Sequence, residues 1–370
     1  MEGFLWSIRI RSFAAHPVRV LAHLRAEDEN TNAKRRTFTM CLLRCLGLAA
    51  LVSGGAFAAD EAYLFTYFTG NGSDGLHLAW SEDGYNWRSV AEGRSILAPN
   101  VGGKERLMRD PCVAQGPDGT FHLVWTTGWN ENHIGYASTR DFTVWTHQRA
   151  LPVMAHEPLV RNSWAPEIVY DEHAREFLIF WASTLPDRFR ETAASSESSY
   201  NHRIYATTTK DFQSFTPTRL FFDPGFSVID ATFLRVGTST YLIVKDETVT
   251  PPRKYLQLAA TNGYQGPVGQ LSRPFSPSGV WVEGPTAIKV GEDYLVYYDA
   301  YTTHRYGALR SKNLIEWEDV SSKMSFPFAG TRQRMRHGTV LAVSSGFAKK
   351  LVNQTNWPEL AVRVASPDGR

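Results

Sequence analysis

The chain is poor in cysteine, with three in 370 residues, at positions 41, 45 and 112. The first two lie inside a basic and apolar leader, before its apolar run, so Cys112 alone falls in the body and no internal disulfide can form there. The same scarcity excludes a cysteine zinc cluster. Helical periodicity is scarce too: from residue 61 onward no long stretch repeats apolar residues every 3.6 positions. The eleven His residues include no H-E-x-x-H arrangement, no Gly-rich phosphate loop follows a strand-like run, and no G-x-S-x-G elbow is present. Metalloprotease, nucleotide-binding and serine-hydrolase chemistries are thereby set aside. Charge of one sign is also lacking. Residues 1–59 hold eight of the 39 Lys and Arg and four of the 37 Asp and Glu, which leaves 31 basic and 33 acidic side chains in the body. That balance gives no footprint for nucleic acid or for an anionic membrane.

There is one long hydrophobic run, Leu46 to Phe57, after Lys34-Arg35-Arg36 and Arg44 and before Ala56-Phe57-Ala58. A basic region, a short apolar core and a small-residue exit describe a secretory signal peptide, too short to span and stay. Residues 1–59 are therefore expected to be a leader that exports the protein to the periplasm or beyond, with no membrane attachment after cleavage. Met40 fits an alternative start, with residues 1–39 an over-extended frame.

The body is built from repeats. Short apolar runs such as Thr120–Trp125, Glu176–Trp181, Thr240–Val244 and Tyr294–Tyr298 each follow turn residues and read as strands. A second phrase, a polar turn closed by an aromatic, occurs at Ser81–Trp87, Ser138–Trp145, Thr208–Phe215 and Ser311–Trp317, with a decayed copy at Thr261–Tyr264. A third is an acid-bearing strand head: Arg109-Asp110-Pro111, Trp164-Ala165-Pro166-Glu167, Ile229-Asp230-Ala231 and Glu283-Gly284-Pro285, with Arg336-His337-Gly338 in the same place. From Asp110 to Glu167, Asp230, Glu283 and His337 the steps are 57, 63, 53 and 54 residues. A period near fifty made of four short strands predicts an all-β, five-bladed β-propeller. The fifth head has too few residues after it, so its blade is expected to take its remaining strands from Ala62–Phe68 and Gly75–Trp87, closing the ring. The propeller then occupies residues 60–345, Pro186–Asn201 is an insertion within it, and residues 346–370 are an unassigned tail.

The first strand of every propeller blade lines the central channel, so the five heads are expected to converge on one pocket. Crowded carboxyls push at least one pKa upward. Two carboxyls, one protonated and one ionised, suit hydrolysis of a glycosidic bond. The ordered set Asp-Pro, Trp-Ala-Pro-Glu, Ile-Asp, Glu-Gly-Pro and His-Gly resembles the family 43 glycoside hydrolases across residues 61–345. The resemblance implies inverting release of a terminal sugar, arabinofuranose or xylose first and galactose next, from plant polysaccharide side chains or oligosaccharides. It makes Asp110 the general base, Glu283 the proton donor and Asp230 the acid that raises the donor's pKa. His337 resembles an axial His that in many members orders water or a structural calcium ion; no cofactor is otherwise required. Glu167, Arg109, Arg336, Trp129 and Trp164 are the expected substrate contacts. Glu167 and Ala231 depart from the family's more usual Asp and Pro. A phosphorylase using Arg109, Arg161 and Arg336, or a non-catalytic sugar-binding propeller, are the alternatives on the same fold.

Overall fold

The computed structural model describes residues 60–197 and 200–357. The expected leader, residues 1–59, lies outside the described residues, as does the tail beyond 357. The rest forms five sheets. Blade 1 begins with β1 (Glu61–Tyr67), β2 (His77–Ser81) and β3 (Arg88–Ser89). Blade 2 is β4 (Arg109–Gln115), β5 (Phe121–Thr126), β6 (Ile134–Thr139) and β7 (Arg149–Leu151). Blade 3 is β8 (Trp164–Asp171), β9 (Glu176–Ser183), β10 (Arg203–Thr209) and β11 (Arg219–Phe222). Blade 4 has β12 (Val228–Val236), β13 (Ser239–Asp246) and β14 (Leu256–Thr261), and blade 5 has β15 (Glu283–Val290), β16 (Asp293–Ala300), β17 (Arg305–Ser311) and β18 (Glu318–Asp319). The last strand, β19 (Thr339–Ser344), returns to pair antiparallel with β1 from Glu61↔Ser344 to Thr66↔Thr339. The ring is therefore closed by strands from both ends of the chain, as the missing strands of the fifth head implied.

Buried side chains gather in five clusters, and each cluster is the seam between two neighbouring blades. Successive side chains of a strand point to opposite faces, and here each face meets another sheet. In β1, Leu64 packs toward blade 2 while Phe65 packs toward blade 5. This double burial explains why the strands read as continuous apolar runs rather than alternating ones.

The aromatic-closed phrase folds the same way four times. The hydroxyls of Ser81, Thr139, Thr209 and Ser311 accept from the amides of Gly84, Phe142, Phe212 and Leu314. Those four residues have φ of 72°, 60°, 54° and 61°. Asp83, Asp141, Asp211 and Asn313 each accept from two further amides, the mark of an Asx turn. Trp87 and Trp145 then donate back to the carbonyls of Gly84 and Phe142 and join blade seams.

Two expectations are amended. Blade 4 has three strands, not four. The segment after β14 carries Pro267, Pro274 and Pro277, which donate no ladder hydrogen bonds. Gly269, Ser272 and Phe275 donate to Ala260, Leu258 and Leu256 instead, one residue in three, so it follows β14 without forming a continuous ladder. The unassigned tail also begins with structure: a helix at Ser345–Val352, capped by the Ser344 hydroxyl, sets Phe347 5.4 Å from Phe121. Leu351 and Trp357 complete the seam between blades 1 and 2. Among the described residues no helix is long and apolar enough to cross a membrane.

Candidate active site

Four inner strands start with one irregularity. Pairing slips between Arg109 and Cys112, Trp164 and Glu167, Ile229 and Thr232, and Glu283 and Thr286. Two residues stand unmatched at each slip, and the first is left-handed: Asp110 at φ 51°, Ala165 at 47°, Asp230 at 53° and Gly284 at 58°. In the fifth head, Arg336 donates its amide to Phe68 and Thr339 pairs with Thr66, so His337-Gly338 fills the same slot. A bulge of this kind re-aims a side chain, and left-handed Asp and Ala are the backbone cost of doing so. Gly284 has no freedom to be anything larger, because an added Cβ would lie 2.3 Å from Cγ of His337.

The heads are thus equivalent in space, but their acids are not in one register. Asp110, Asp230 and His337 sit on the bulge. Glu283 stands one residue before it, beside Arg109, Trp164, Ile229 and Arg336. Glu167 stands two residues later, in a deeper ring with Cys112, Thr232, Thr286 and Thr339. The bulge and the ring before it line a cavity of about 260 Å³ whose wall includes Asp110, Asp230, Glu283, Arg109, Arg336, His337, Trp129 and Trp164. Glu167 is the one expected contact that the fold does not bring to this wall. It is buried below, accepting from Thr232 at 3.1 Å and Thr339 at 3.5 Å, and burial pushes its carboxyl up to about 7.

The cavity wall is a set of opposed charges. Burial alone would raise the Asp110 carboxyl, but His337, Arg109 and the 2.8 Å hydrogen bond from Thr126 outweigh it and hold the group well below the carboxylate range. His337 points Nδ1 at Asp110, 3.4 Å away, and at Asp230, 3.9 Å away. Burial disfavours its charge, yet the two carboxylates raise it to about 9, so the ring is an imidazolium near neutrality. Asp230 accepts from the amide of Gly284 at 2.9 Å. Burial first, and then Glu283 and Asp110, raise it to about 6 against His337 and Lys245. Glu283 goes the other way: burial is overcome by Lys245 at 3.6 Å, Arg336 at 2.7 Å and Arg109, which lower it. Asp230 therefore keeps a proton to higher pH than Glu283, because the cations that hold Glu283 ionised stand nearer to it than to Asp230.

The aromatic contacts lie where they were expected. Trp129 is 36% exposed and carries the Arg109 guanidinium 4.5 Å over its ring; Trp164 meets it edge-on at 5.4 Å and donates to its carbonyl. Sequence reasoning missed Asn71, which accepts from Arg109 at 2.9 Å, and Tyr301, in the opposite wall. It also missed Asp299, fully buried between Arg334 and Arg336. An acid closing the apolar run of β16 was the available signal for Asp299; Asn71 sits in a plain Gly-Asn-Gly turn and offered none. A calcium ion takes six to eight oxygen ligands. Among the described residues no group of three or more His, Cys, Asp or Glu is placed to hold a metal ion.

Three carboxyls thus meet at the channel mouth of a propeller, Asp110 held as the anion, Asp230 raised and Glu283 lowered. Residues 59–346 match a family related to glycoside hydrolase family 43, described as "Probable glycosyl hydrolase domain". The chain belongs to this family. It is similar to an α-L-arabinofuranosidase of Bifidobacterium longum subsp. longum, with 25% identity over 280 residues. That match takes in 64% of this chain and 26% of the relative, so the chain spans about a quarter of the relative's length. Among solved structures it is similar to an α-L-arabinofuranosidase from Lactobacillus brevis, at 14% identity and TM-score 0.46, over 58% of this chain and 72% of that one. It is also similar to an exo-β-1,3-galactanase from Clostridium thermocellum, at 14% identity and TM-score 0.43, over 60% and 50%.

Proposed function

We propose that the protein is an exported, inverting exo-glycosidase that releases a terminal arabinofuranose or xylose from plant-derived oligosaccharides or polysaccharide side chains. The observation that carries this reading is the split between the acids: Asp110 is held as a carboxylate, Asp230 is raised to about 6 and Glu283 is lowered by the cations around it. Groups with separated pKa values at one site are the signature of paired acid and base roles. Asp110 takes a proton from water, whose oxygen attacks the anomeric carbon. Glu283 gives its proton to the departing glycosidic oxygen, and the configuration inverts. Asp230, whose charge acts on Glu283, is the acid that modulates the donor's pKa. A small pocket with Trp129 and Trp164 at its edge favours one terminal sugar over an internal stretch of chain. The arabinofuranosidase relative supports arabinose first.

The test is hydrolysis of a panel of aryl furanosides and pyranosides and of natural oligosaccharides, with the Glu283→Gln and Asp110→Asn variants alongside. Loss of proton donation should cost Glu283→Gln about 10²–10⁴-fold on natural linkages and much less on activated aryl glycosides. Asp110→Asn should abolish both. Equal losses on the two substrate types in Glu283→Gln would remove it as the donor, and phosphate-dependent turnover would show a phosphorylase.

A further inference from the structure

Glu283 does not stand alone with its cations. Glu197 pairs with Lys254 at 2.5 Å, Lys254 with Glu247 at 2.5 Å, and Glu247 with Lys245 at 2.7 Å. Lys245 reaches Glu283, Glu283 reaches Arg336, Arg336 reaches Asp299, and Asp299 reaches Arg334. Eight charges alternate in sign without a gap. Lys254 is fully buried, Lys245 is 3% exposed and Glu247 11%, whereas Glu197 is 53% exposed. The outer end therefore opens to solvent through one residue, and that residue belongs to the insertion expected at Pro186–Asn201. The insertion is also tied down by its backbone, Val249 donating to Ser195 at 2.8 Å. Lys254 holds a left-handed backbone, φ 44°, a strained conformation for a lysine and one that suits a residue fixed for its position.

A buried cation needs a partner, and removing one side of such a pair leaves its charge to act on whatever is next. Glu247 divides its two oxygens between two lysines. Its grip on Lys245 is thus set by how well Glu197 satisfies Lys254. We infer that Glu197, Lys254 and Glu247 are positioning residues, an ion chain through which the insertion sets how firmly Lys245 holds the proton donor Glu283. This inference rests on the reading of Glu283 as that donor. The other groups that face Glu283 are Arg336, Arg109 and His337 as cations, Asp230 and Asp299 as anions, and the phenol of Tyr301.

The signs are opposite at the two links. Glu197→Gln leaves Lys254 drawing on Glu247, frees the charge of Lys245 and holds Glu283 ionised more firmly. The alkaline limb of kcat/KM, where the donor loses its proton, moves down. Lys254→Met returns Glu247 wholly to Lys245, loosens Glu283 and moves the limb up. A unit charge on the order of 10 Å away at an effective dielectric of about 20 gives shifts of roughly one unit. The double variant restores the balance and should return the limb to its original place. The experiment is the pH profile of hydrolysis together with a ¹³C-carboxyl NMR titration of Glu283, on full-length proteins with matched melting curves. Opposite shifts in both readouts are expected. Limbs that stay put, or that move the same way in both single variants, would overturn the inference. Glu283 titrations that respond while Glu283→Gln keeps full activity on every linkage would leave the ion chain standing and remove the donor reading.

Discussion

His337 lets the electrostatics of the site be read as stability. Its charge is set against burial, yet Asp230 and Asp110 raise it from 6.5 to about 9. A group whose pKa is raised by folding stabilises the native state fully below its unfolded value and loses that contribution as pH climbs through the folded value. The window is therefore pH 6.5 to 9. A shift of this size, at about 1.4 kcal/mol per unit, corresponds to roughly 2–4 kcal/mol. Glu167 and Asp230 titrate lower, in windows from their ordinary values up to about 7 and about 6, so they overlap the His337 range little. The assay is urea unfolding of the protein and its His337→Gln variant at intervals from pH 6 to pH 10. The parent should lose most of the stated stability across the window, and the variant should show a much flatter curve over the same range. Parallel curves would mean that the imidazolium is not held by the two carboxylates, and the charge assignment of the pocket would fail with it.

Three further outcomes follow from the geometry. Arg336→Met removes a cation 2.7 Å from Glu283, so the alkaline limb of the pH–rate profile should move up by roughly 1–3 units; an unmoved limb would show that Arg336 does not hold the donor's charge. Gly284→Ala puts a Cβ 2.3 Å from Cγ of His337 on a left-handed backbone; the protein should lose on the order of 2 kcal/mol or more in denaturant unfolding, with activity falling further than stability. Leu351→Ala opens the seam under the C-terminal helix, where Leu351 is 4% exposed; it should cost about 2–5 kcal/mol with kcat/KM on the panel substrates unchanged.

The blade count and the closing strand were legible because both rest on chain-local signals: turn chemistry after each apolar run, and head spacing that no other architecture fits. What the motifs could not carry was register. Pro111, Pro166 and Pro285 are each the second residue of the bulge, and counting from them puts Ala165, not Glu167, beside Asp110 and Asp230. Aligning on acids instead placed Glu167 in the wall, when it stands two residues deeper. Asp299 and the Glu197–Lys254 link stayed hidden for a different reason. Their partners lie 37 and 57 residues away in sequence, and nothing local marks which charges a folded ring will set side by side. The lowering of Glu283 is likewise a property of the assembled pocket, because Lys245 comes from the end of β13 and Arg336 from the fifth head.

The closing strand has a temporal side. During synthesis the four complete blades leave the ribosome before β19, and with them go Asp110, Asp230 and Glu283. Arg336 and His337 emerge last, in the very segment that pairs with β1 and shuts the ring. Until that moment the acids have Arg109 and Lys245 beside them but neither the imidazolium of His337 nor the guanidinium of Arg336. Sealing the circle and completing the charge balance of the pocket are then a single event.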